Sequence, residues 1–302
     1  MTFSTILDKG DKMFENLNQV ENISNSNNQH QTVVSHKDCL DGFASAYNHY
    51  LKYGHNAKYF FSQYGDKPIP LDMFKDKDVF MYDFSYPRDY LIKINEVAKS
   101  FIVLDHHKTA EANCRGLDFC KFDMTKSGSM LSWEYLFPNK PPSWMSSYVM
   151  DKDLWQWKLP NAQEIVEGLD NIPRSFEVWN KYDDEKGKES CLKLGEVICL
   201  HRDNLIAGAL SRKPMFANVE GHKVPYVNIN YFISETLNRL CKKYKDCPFA
   251  VGFFMDSQGR FVHSLRSLDF DVTDICKKYK GGGHEHAGGF MHNKLFPIWE
   301  DK

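Results

Sequence analysis

The chain has 302 residues, of which 42% are hydrophobic, and a formal net charge of -2 at pH 7. A chain of this length can bury a substantial core and is expected to form two domains. The charge argues against bulk electrostatic binding to long nucleic acid, although a local basic groove could still face a short anionic substrate. No uninterrupted apolar segment approaches the roughly 20 residues that span a bilayer, so we expect no membrane partner.

The first residues have neither the order of a signal peptide nor the acid-poor composition of a mitochondrial presequence, which predicts a cytoplasmic location. The eight cysteines form no Cys-x-x-Cys pair and no zinc-ribbon spacing, which predicts reduced and mostly buried thiols. Cys39 is the exception because it lies inside a cluster of acids, although a residue in that position could simply pack beneath the loop.

Residues 1–31 end in a polar segment of low complexity and are expected to form a loose arm. From Thr32 onward, short apolar runs alternate with segments of helical pattern. This alternation predicts an α/β domain at 32–190, with a parallel sheet and helices on both faces. The predicted strands lie at 32–36, 58–62, 79–85 and 101–105, and the predicted helices at 42–53 and 88–99.

After Pro141 the sequence is mainly helical and continues into a helical linker predicted at 191–213. A smaller α+β domain is expected at 214–302. Its predicted elements are strands at 224–229, 249–255 and 260–265 and a helix at 272–279, which runs directly into a glycine-rich segment.

Side chains that can bind metal follow three of the predicted strands. They are His36, Asp38 and Asp41 at and after the end of the first strand, Asp83 near the end of the third, and Asp105, His106 and His107 at and after the end of the fourth. Because the carboxyl ends of parallel strands meet at one edge of a sheet, these groups are expected to converge. Each cluster alone could reflect helix capping or a strand-end turn. Together they predict a metal centre in which Asp83 bridges two cations that clamp a phosphoryl group.

Neighbouring side chains of a strand alternate between its faces, so His106 and His107 are not expected to share one role. One could bind metal while the other touches substrate. A further pair of acids, Asp151 and Asp153, also follows an apolar stretch. Either acid could complete the centre.

A glycine-rich segment is the strongest signal outside the acids, with the sequence Gly281-Gly282-Gly283-His284-Glu285-His286-Ala287-Gly288-Gly289. Such a loop can present successive backbone N–H groups to an anion, although a flexible hinge is the alternative. Arg266 ends a predicted hairpin strand and is followed by Ser267. Its guanidinium could bind a phosphate through two hydrogen bonds, although an arginine seen alone is by default a surface residue.

On these motifs, the chain resembles the DHH phosphoesterase superfamily joined to its DHH-associated C-terminal domain, over roughly residues 32–292. The matching motifs are Asp105-His106-His107, Gly281 to His284 with Ala287-Gly288-Gly289, His36 to Gly42 as the first motif, Asp83 as the second and Asp151 as the fourth. The chain departs from the commonest first motif, which separates its two acids by one residue, whereas two residues separate Asp38 from Asp41.

The resemblance implies a centre of two Mn²⁺ ions, with Mg²⁺ or Co²⁺ as alternatives. One ion would be held by His36, Asp38 and Asp83, and the other by Asp41, Asp83, His106 and Asp151. Asp105 would support the metal-binding residues without binding a cation itself, and His107 would contact the scissile phosphate. The phosphate-bearing end of the substrate would be held in the C-terminal domain by Arg266, Ser267, His284 and the backbone of Gly281, Gly282 and Gly283.

The implied activity is that of a nano-RNase, which removes mononucleotides from very short RNA or DNA. Alternatives within the superfamily are hydrolysis of 3′-phosphoadenosine 5′-phosphate, of cyclic or linear dinucleotides, or of inorganic polyphosphate. The expected partner is a short single-stranded oligonucleotide or a small phosphorylated nucleotide, because a cleft between the domains would exclude a duplex. A non-catalytic nucleotide-binding protein is the alternative from another class. The sequence leaves the oligomeric state open.

Overall fold

A computed structural model describes residues 30–299 of the chain. The arm predicted at 1–31 therefore lies almost entirely outside the described residues. The chain divides into two compact units, of which the first ends at Cys199 and the second begins at Leu200. Each unit has its own sheet and its own core, and each is described by itself.

The first unit is built on a five-stranded parallel sheet in the order β2-β1-β3-β4-β5. Its strands are β1 (Gln31–His36), β2 (Ala57–Ser62), β3 (Asp78–Tyr82), β4 (Ser100–Asp105) and β5 (Cys120–Phe122). The central strand β3 consists, after Asp78, entirely of buried apolar and aromatic residues, as a strand covered on both faces does. The predicted parallel α/β architecture is thus confirmed.

The described part of the first unit also contains seven helices and the first part of an eighth. They are α1 (Leu40–Tyr53), α2 (Arg88–Val97), α3 (Lys108–Cys114), α4 (Gly128–Leu136), α5 (Trp144–Asp153), α6 (Ala162–Asp170), α7 (Phe176–Tyr182) and α8 (Glu185–Ala209). Adjacent residues of β1 show that the sheet is covered on two faces. Val34 shares a core with Leu91 of α2, whereas Val33 shares a different core with Leu136 of α4.

The second unit is a smaller α+β unit with a six-stranded sheet in the order β10-β11-β9-β8-β7-β6. Only the pairing of β7 with β8 is parallel. Its elements are β6 (Met215–Val219), β7 (His222–Asn228), α9 (Ile233–Lys243), β8 (Phe249–Met255), β9 (Phe261–Ser267), α10 (Thr273–Lys278), β10 (Gly282–His284) and β11 (Ala287–His292). The smaller α+β fold predicted for this part of the chain is therefore the fold observed.

Within residues 30–299, no helix is both long enough and apolar enough to cross a membrane.

Candidate metal centre

Three neighbouring strands deliver metal-capable side chains to one edge of the parallel sheet. At the carboxyl ends of β1, β3 and β4, the register of the sheet places His36, Asp83 and Asp105 in adjacent positions. Asp83 lies just past β3 with a φ of 55°, and its N–H still donates to the carbonyl of Leu104 at 2.9 Å. The left-handed backbone, which aspartate tolerates better than most residues, ends the strand and fixes the direction of this side chain.

Asp105 organises the segment that follows β4. Its Oδ1 accepts hydrogen bonds from the backbone N–H of His106 at 2.7 Å and from that of His107 at 3.2 Å. The same oxygen lies 2.7 Å from Nδ1 of the His107 ring. Asp105 is fully buried, so this carboxylate holds both histidines in place from beneath the edge.

His106 lies at the centre of a group of carboxylates. Its Nε2 is 3.1 Å from Asp83 Oδ1, 3.4 Å from Asp153 Oδ2 and 3.8 Å from Asp41 Oδ2. His106 and Asp83 are both nearly inaccessible to solvent. Three acids from distant parts of the sequence thus converge on one imidazole.

Asp41, in the first turn of α1, is held by the start of α4. Its two carboxylate oxygens accept hydrogen bonds from the backbone N–H groups of Gly128, at 2.5 Å, and Ser129, at 2.9 Å. A Cβ at Gly128 would lie 2.4 Å from the Cβ of Asp83, so only glycine fits there without a shift. Gly128 was not among the residues predicted from the sequence. The signal that could have found it is the Ser127-Gly128-Ser129 run before an apolar helix, which is typical of a helix start.

The two acids at the end of α5 have different partners. Asp151 is buried, and its carboxylate accepts hydrogen bonds from the backbone N–H groups of Lys158 and Leu159 at 2.9 and 3.0 Å. Asp153 instead lies with Asp41 and His106. Asp153 is thus the acid of this pair that lies in a metal-capable group, whereas the carboxylate of Asp151 faces the 158–159 loop.

The loop between β1 and α1 also differs from the expected ligand pattern. Asp38 is exposed, has a φ of 53°, and belongs to none of the three metal-capable groups found within residues 30–299. Its neighbour Cys39 instead lies with His36 and Asp83, with ligand atoms within 4.8 Å of one another. Asp38 is thus an exposed residue with a left-handed backbone, at the position where the chain turns from β1 into α1.

Burial and neighbouring charges shift the pKa values in the cluster. Burial raises the pKa of Asp83, and the charge of Asp41 raises it further. Burial alone would lower the pKa of His106, but its hydrogen bond to Asp83 and the charges of Asp153, Asp83 and Asp41 raise it to about 10. Burial lowers the pKa of His36, and the charge of His107 lowers it further. Without a cation, a protonated His106 therefore offsets part of the negative charge, while His36 is held in the neutral form that binds metals.

The residues of this edge fit divalent cations. Nine buried side-chain polar atoms have no hydrogen-bond partner among the described residues, and four of them belong to the predicted metal-site residues: His36 Nδ1, Asp83 Oδ2, Asp105 Oδ2 and Asp153 Oδ2. Buried carboxylate oxygens are costly unless they are paired or coordinate a metal. His36, Asp83 and Asp153 also belong to groups of three donors with metal-binding spacing. These groups are His36 with Cys39 and Asp83, Asp83 with His106 and His107, and Asp41 with His106 and Asp153.

In the second unit, Arg266 and His284 lie in one row of the sheet. Arg266 pairs with Ala287 in the register of β9 and β11, and Ala287 pairs with His284 in the register of β11 and β10. Directly paired residues share a face of an antiparallel sheet, so both side chains lie on the same side. Ser267 follows on the opposite face, where its hydroxyl donates to the carbonyl of Phe270.

The glycine-rich segment forms a hairpin rather than an open loop. Gly282 and Gly283 begin edge strand β10, and the N–H of Gly281 donates to the carbonyl of Cys276 at 2.8 Å. A Cβ at Gly281 would lie 2.1 Å from the carbonyl oxygen of Gly289, and one at Gly283 would lie 2.3 Å from that of Ala287. Close packing of the hairpin therefore accounts for these glycines, while an edge strand still leaves some backbone N–H groups pointing outward.

Comparison with known proteins identifies proteins that are similar to this chain. No protein-family model matches the chain. An uncharacterized protein of Acanthamoeba polyphaga mimivirus is 28% identical over 291 residues, which cover 88% of this chain and 68% of the viral protein. The solved structure of an exopolyphosphatase-related protein from Bacteroides fragilis matches with a TM-score of 0.50 and 15% identity, over 98% of this chain and 94% of that one. A pGpG-specific phosphodiesterase, PggH, from Vibrio cholerae matches with a TM-score of 0.47 and 16% identity, over 87% of this chain and 93% of that one. The chain therefore shares the fold of the Bacteroides fragilis protein.

Proposed function

We propose that this chain is a metal-dependent phosphoesterase of the DHH superfamily that hydrolyses phosphodiester bonds of short oligonucleotides, as a nano-RNase does. The observation that carries the proposal is the convergence of His36, Asp41, Asp83, His106 and Asp153 at the carboxyl edge of a parallel sheet. The fold shared with the exopolyphosphatase-related protein is compatible with this proposal.

We assign one cation to Asp41, Asp83, His106 and Asp153, and a second cation to His36 and Asp83 with a further donor. Asp83 would bridge the two, because its carboxylate lies with His36 in one donor group and with His106 in another. The donors suit Mn²⁺, with Mg²⁺ or Co²⁺ as alternatives. When bound, such a pair of cations would lower the pKa of a water molecule and neutralise charge on phosphoryl oxygens.

His107 would act on the substrate, while Asp105 positions it. Burial alone would lower the pKa of His107, but its hydrogen bond to Asp105 raises this pKa to about 9. The ring is therefore protonated at neutral pH and can donate a hydrogen bond to a phosphoryl oxygen. A charged donor fixed in a buried site stabilises negative charge that develops in the transition state.

The phosphate-bearing end of the substrate is assigned to Arg266 and His284 in the second unit, together with the backbone of Gly281 to Gly283. The shared face of the two side chains supports this assignment. Arg266 donates to Ser234 Oγ at 2.7 Å and to the carbonyl of Leu265 at 2.8 Å, which fixes its guanidinium in the sheet. Ser267 would act only indirectly, through the hairpin that its hydroxyl supports.

The test is a substrate panel with the full-length, metal-stripped protein, reconstituted separately with Mn²⁺, Mg²⁺ and Co²⁺. The panel contains labelled di- to pentanucleotides, a duplex of the same sequence, 3′-phosphoadenosine 5′-phosphate, a cyclic dinucleotide and polyphosphate. We expect mononucleotides from the short single strands and an intact duplex. Intact dinucleotides beside rapidly cleaved polyphosphate would reject the oligonucleotide substrate. Failure to bind metal and to cleave any member of the panel would reject the phosphoesterase itself.

A further inference from the structure

A thiol lies among the metal-capable groups of the first unit. The sulfur of Cys39, a ring nitrogen of His36 and a carboxylate oxygen of Asp83 all lie within 4.8 Å of one another. Asp83 is 1% exposed, and its Oδ2 has no hydrogen-bond partner within residues 30–299. The Nδ1 atom of His36 is buried without such a partner as well. Two unsatisfied buried atoms beside one sulfur point to a ligand that all three residues share.

The backbone around Cys39 places its sulfur beside the end of β1. Cys39 is the N-cap residue of α1, a helix of 14 residues. A Cβ at Gly42 would lie 2.3 Å from the carbonyl oxygen of His36, so this glycine allows the helix to begin close against the end of β1. Burial and the charges of Asp83, Asp41 and Asp153 raise the pKa of the Cys39 thiol, so the sulfur keeps its proton until a cation binds.

The acid next to Cys39 does not compete for this position. Asp38 is exposed and lies outside every metal-capable group found within residues 30–299. The loop therefore offers the His36 and Asp83 pair a sulfur donor instead of a third carboxylate. Mixed nitrogen, sulfur and oxygen donors suit Zn²⁺ and Co²⁺, whereas Mg²⁺ demands oxygen ligands.

We infer that the Cys39 thiolate is a ligand in the cation subsite of His36 and Asp83, and that this subsite takes thiophilic cations such as Co²⁺ or Zn²⁺ in preference to Mg²⁺. The inference rests on the proposed function, because it names the third donor of one of the two subsites. When the cation binds, the sulfur–metal bond forms and the thiol proton passes to solvent. Cation uptake by this subsite therefore releases a proton.

The test is a Co²⁺ titration of the metal-stripped, full-length protein, followed by absorption spectroscopy. A cobalt–thiolate bond gives an intense charge-transfer band in the near ultraviolet, which oxygen and nitrogen ligands do not give. We expect this band in the unaltered protein and in the matched controls Cys120→Ser and Asp38→Asn. We expect Cys39→Ser to lack the band, and Cys39→Asp to shift the subsite toward Mg²⁺ by at least about 10-fold relative to Co²⁺.

A second measurement on the unaltered protein does not depend on how the variants fold. Thiols are alkylated with iodoacetamide in the presence and absence of Co²⁺, and the modified peptides are identified by mass spectrometry. We expect Co²⁺ to protect Cys39 and to leave the alkylation of Cys120 unchanged.

The outcomes separate the inference from the function on which it rests. Stoichiometric Co²⁺ binding without the charge-transfer band, or a band that survives in Cys39→Ser, would overturn the thiolate ligand and leave the metal centre standing. Equal alkylation of Cys39 with and without Co²⁺ would also overturn it. If the unaltered protein binds no Co²⁺ at all, the metal-dependent function fails together with the inference.

Discussion

Asp105 and His107 form a closed pair at the end of β4. The Oδ1 atom of Asp105 accepts from the ring Nδ1 of His107 at 2.7 Å and from the backbone N–H of the same residue at 3.2 Å. The hydrogen bond from His107 also lowers the pKa of Asp105, although burial alone would raise it. A buried anion and a half-buried cation are thereby locked together, which orients the imidazole toward the cluster of acids.

Replacing this carboxylate with an amide should therefore change the charge state of the imidazole. In Asp105→Asn, burial would dominate, and we expect the pKa of His107 to fall from about 9 by about 1–2 pH units, the equivalent of one lost hydrogen bond to a charged group. Activity that needs the protonated ring is retained below this pKa and lost as pH rises through it. The alkaline limb of the kcat profile should move to lower pH, and an NMR titration of the His107 ring should move with it. An unchanged alkaline limb would contradict the role given to His107.

Two acids of the same chain segment provide a matched test of the metal centre. Asp83 follows the carboxyl end of β3, whereas Asp78 begins the same strand at the opposite edge, where it pairs with Lys99. We expect Asp83→Ala to abolish metal binding and lower turnover at least about 100-fold, with little unfolding. Asp78→Ala should keep both properties. The measurements are metal content after dialysis, turnover and thermal melting; near-normal turnover of Asp83→Ala would exclude a bridging role.

The acids at the end of α5 should separate a ligand from a structural residue. Asp153→Asn should lose metal stoichiometry with little change in the stability of the metal-free protein. Asp151→Asn should keep the metal but lower the free energy of unfolding by about 1–3 kcal/mol, because it would leave a backbone N–H of the 158–159 loop without an acceptor. Metal analysis combined with denaturant unfolding measures both effects. The reverse pattern would restore Asp151 to the centre.

These acids also show how far the sequence could predict the structure. The parallel sheet was predictable because buried apolar runs alternate with helical segments, and the convergence of His36, Asp83 and His106 followed from the shared edge. The choice between Asp151 and Asp153 was not predictable, because residues two apart on a helix point about 200° apart and only tertiary packing decides which one faces the site. The choice between Asp38 and Cys39 depended in the same way on the turn before α1.

The sequence could mark Gly128 as part of a helix start, but it could not reveal the contacts of Gly128 with Asp41 and Asp83, which lie far from it in the chain. We expect Gly128→Ala to weaken metal binding, because the added Cβ would push apart Asp41 and Asp83. The control is Gly208→Ala in α8, where a Cβ would meet nothing within 4 Å. That change should leave metal binding intact and raise the free energy of unfolding by up to about 1 kcal/mol. Isothermal titration with Co²⁺ compares the two; equal affinities would show that the start of α4 does not set the site.

A buried histidine outside the metal-capable groups found within residues 30–299 should control the stability of the fold at low pH. His49 of α1 is fully buried, with Nδ1 at 3.0 Å from the Tyr82 hydroxyl and Nε2 at 3.2 Å from Gln31 Oε1. Burial, helped by the charge of Lys52, lowers its pKa to about 3 from an ordinary value of 6.5. In the unfolded chain, His49 therefore becomes protonated below about pH 6.5, whereas in the folded chain it stays neutral down to about pH 3.

Stability should consequently fall as pH decreases through this window, and His49 alone should account for a loss of about 2 kcal/mol between pH 7 and pH 5, at 1.36 kcal/mol per pH unit. We expect His49→Gln to be less stable than the unaltered protein at pH 7, because it changes a packed hydrogen-bonded ring, but to lose about 2 kcal/mol less on acidification. The exposed His55 supplies the control, since His55→Gln should keep the full pH dependence. Urea unfolding at both pH values, followed by tryptophan fluorescence, measures the difference. If acidification lowered the free energy of unfolding equally in His49→Gln and in the unaltered protein, another group would be responsible for the acid sensitivity of the fold.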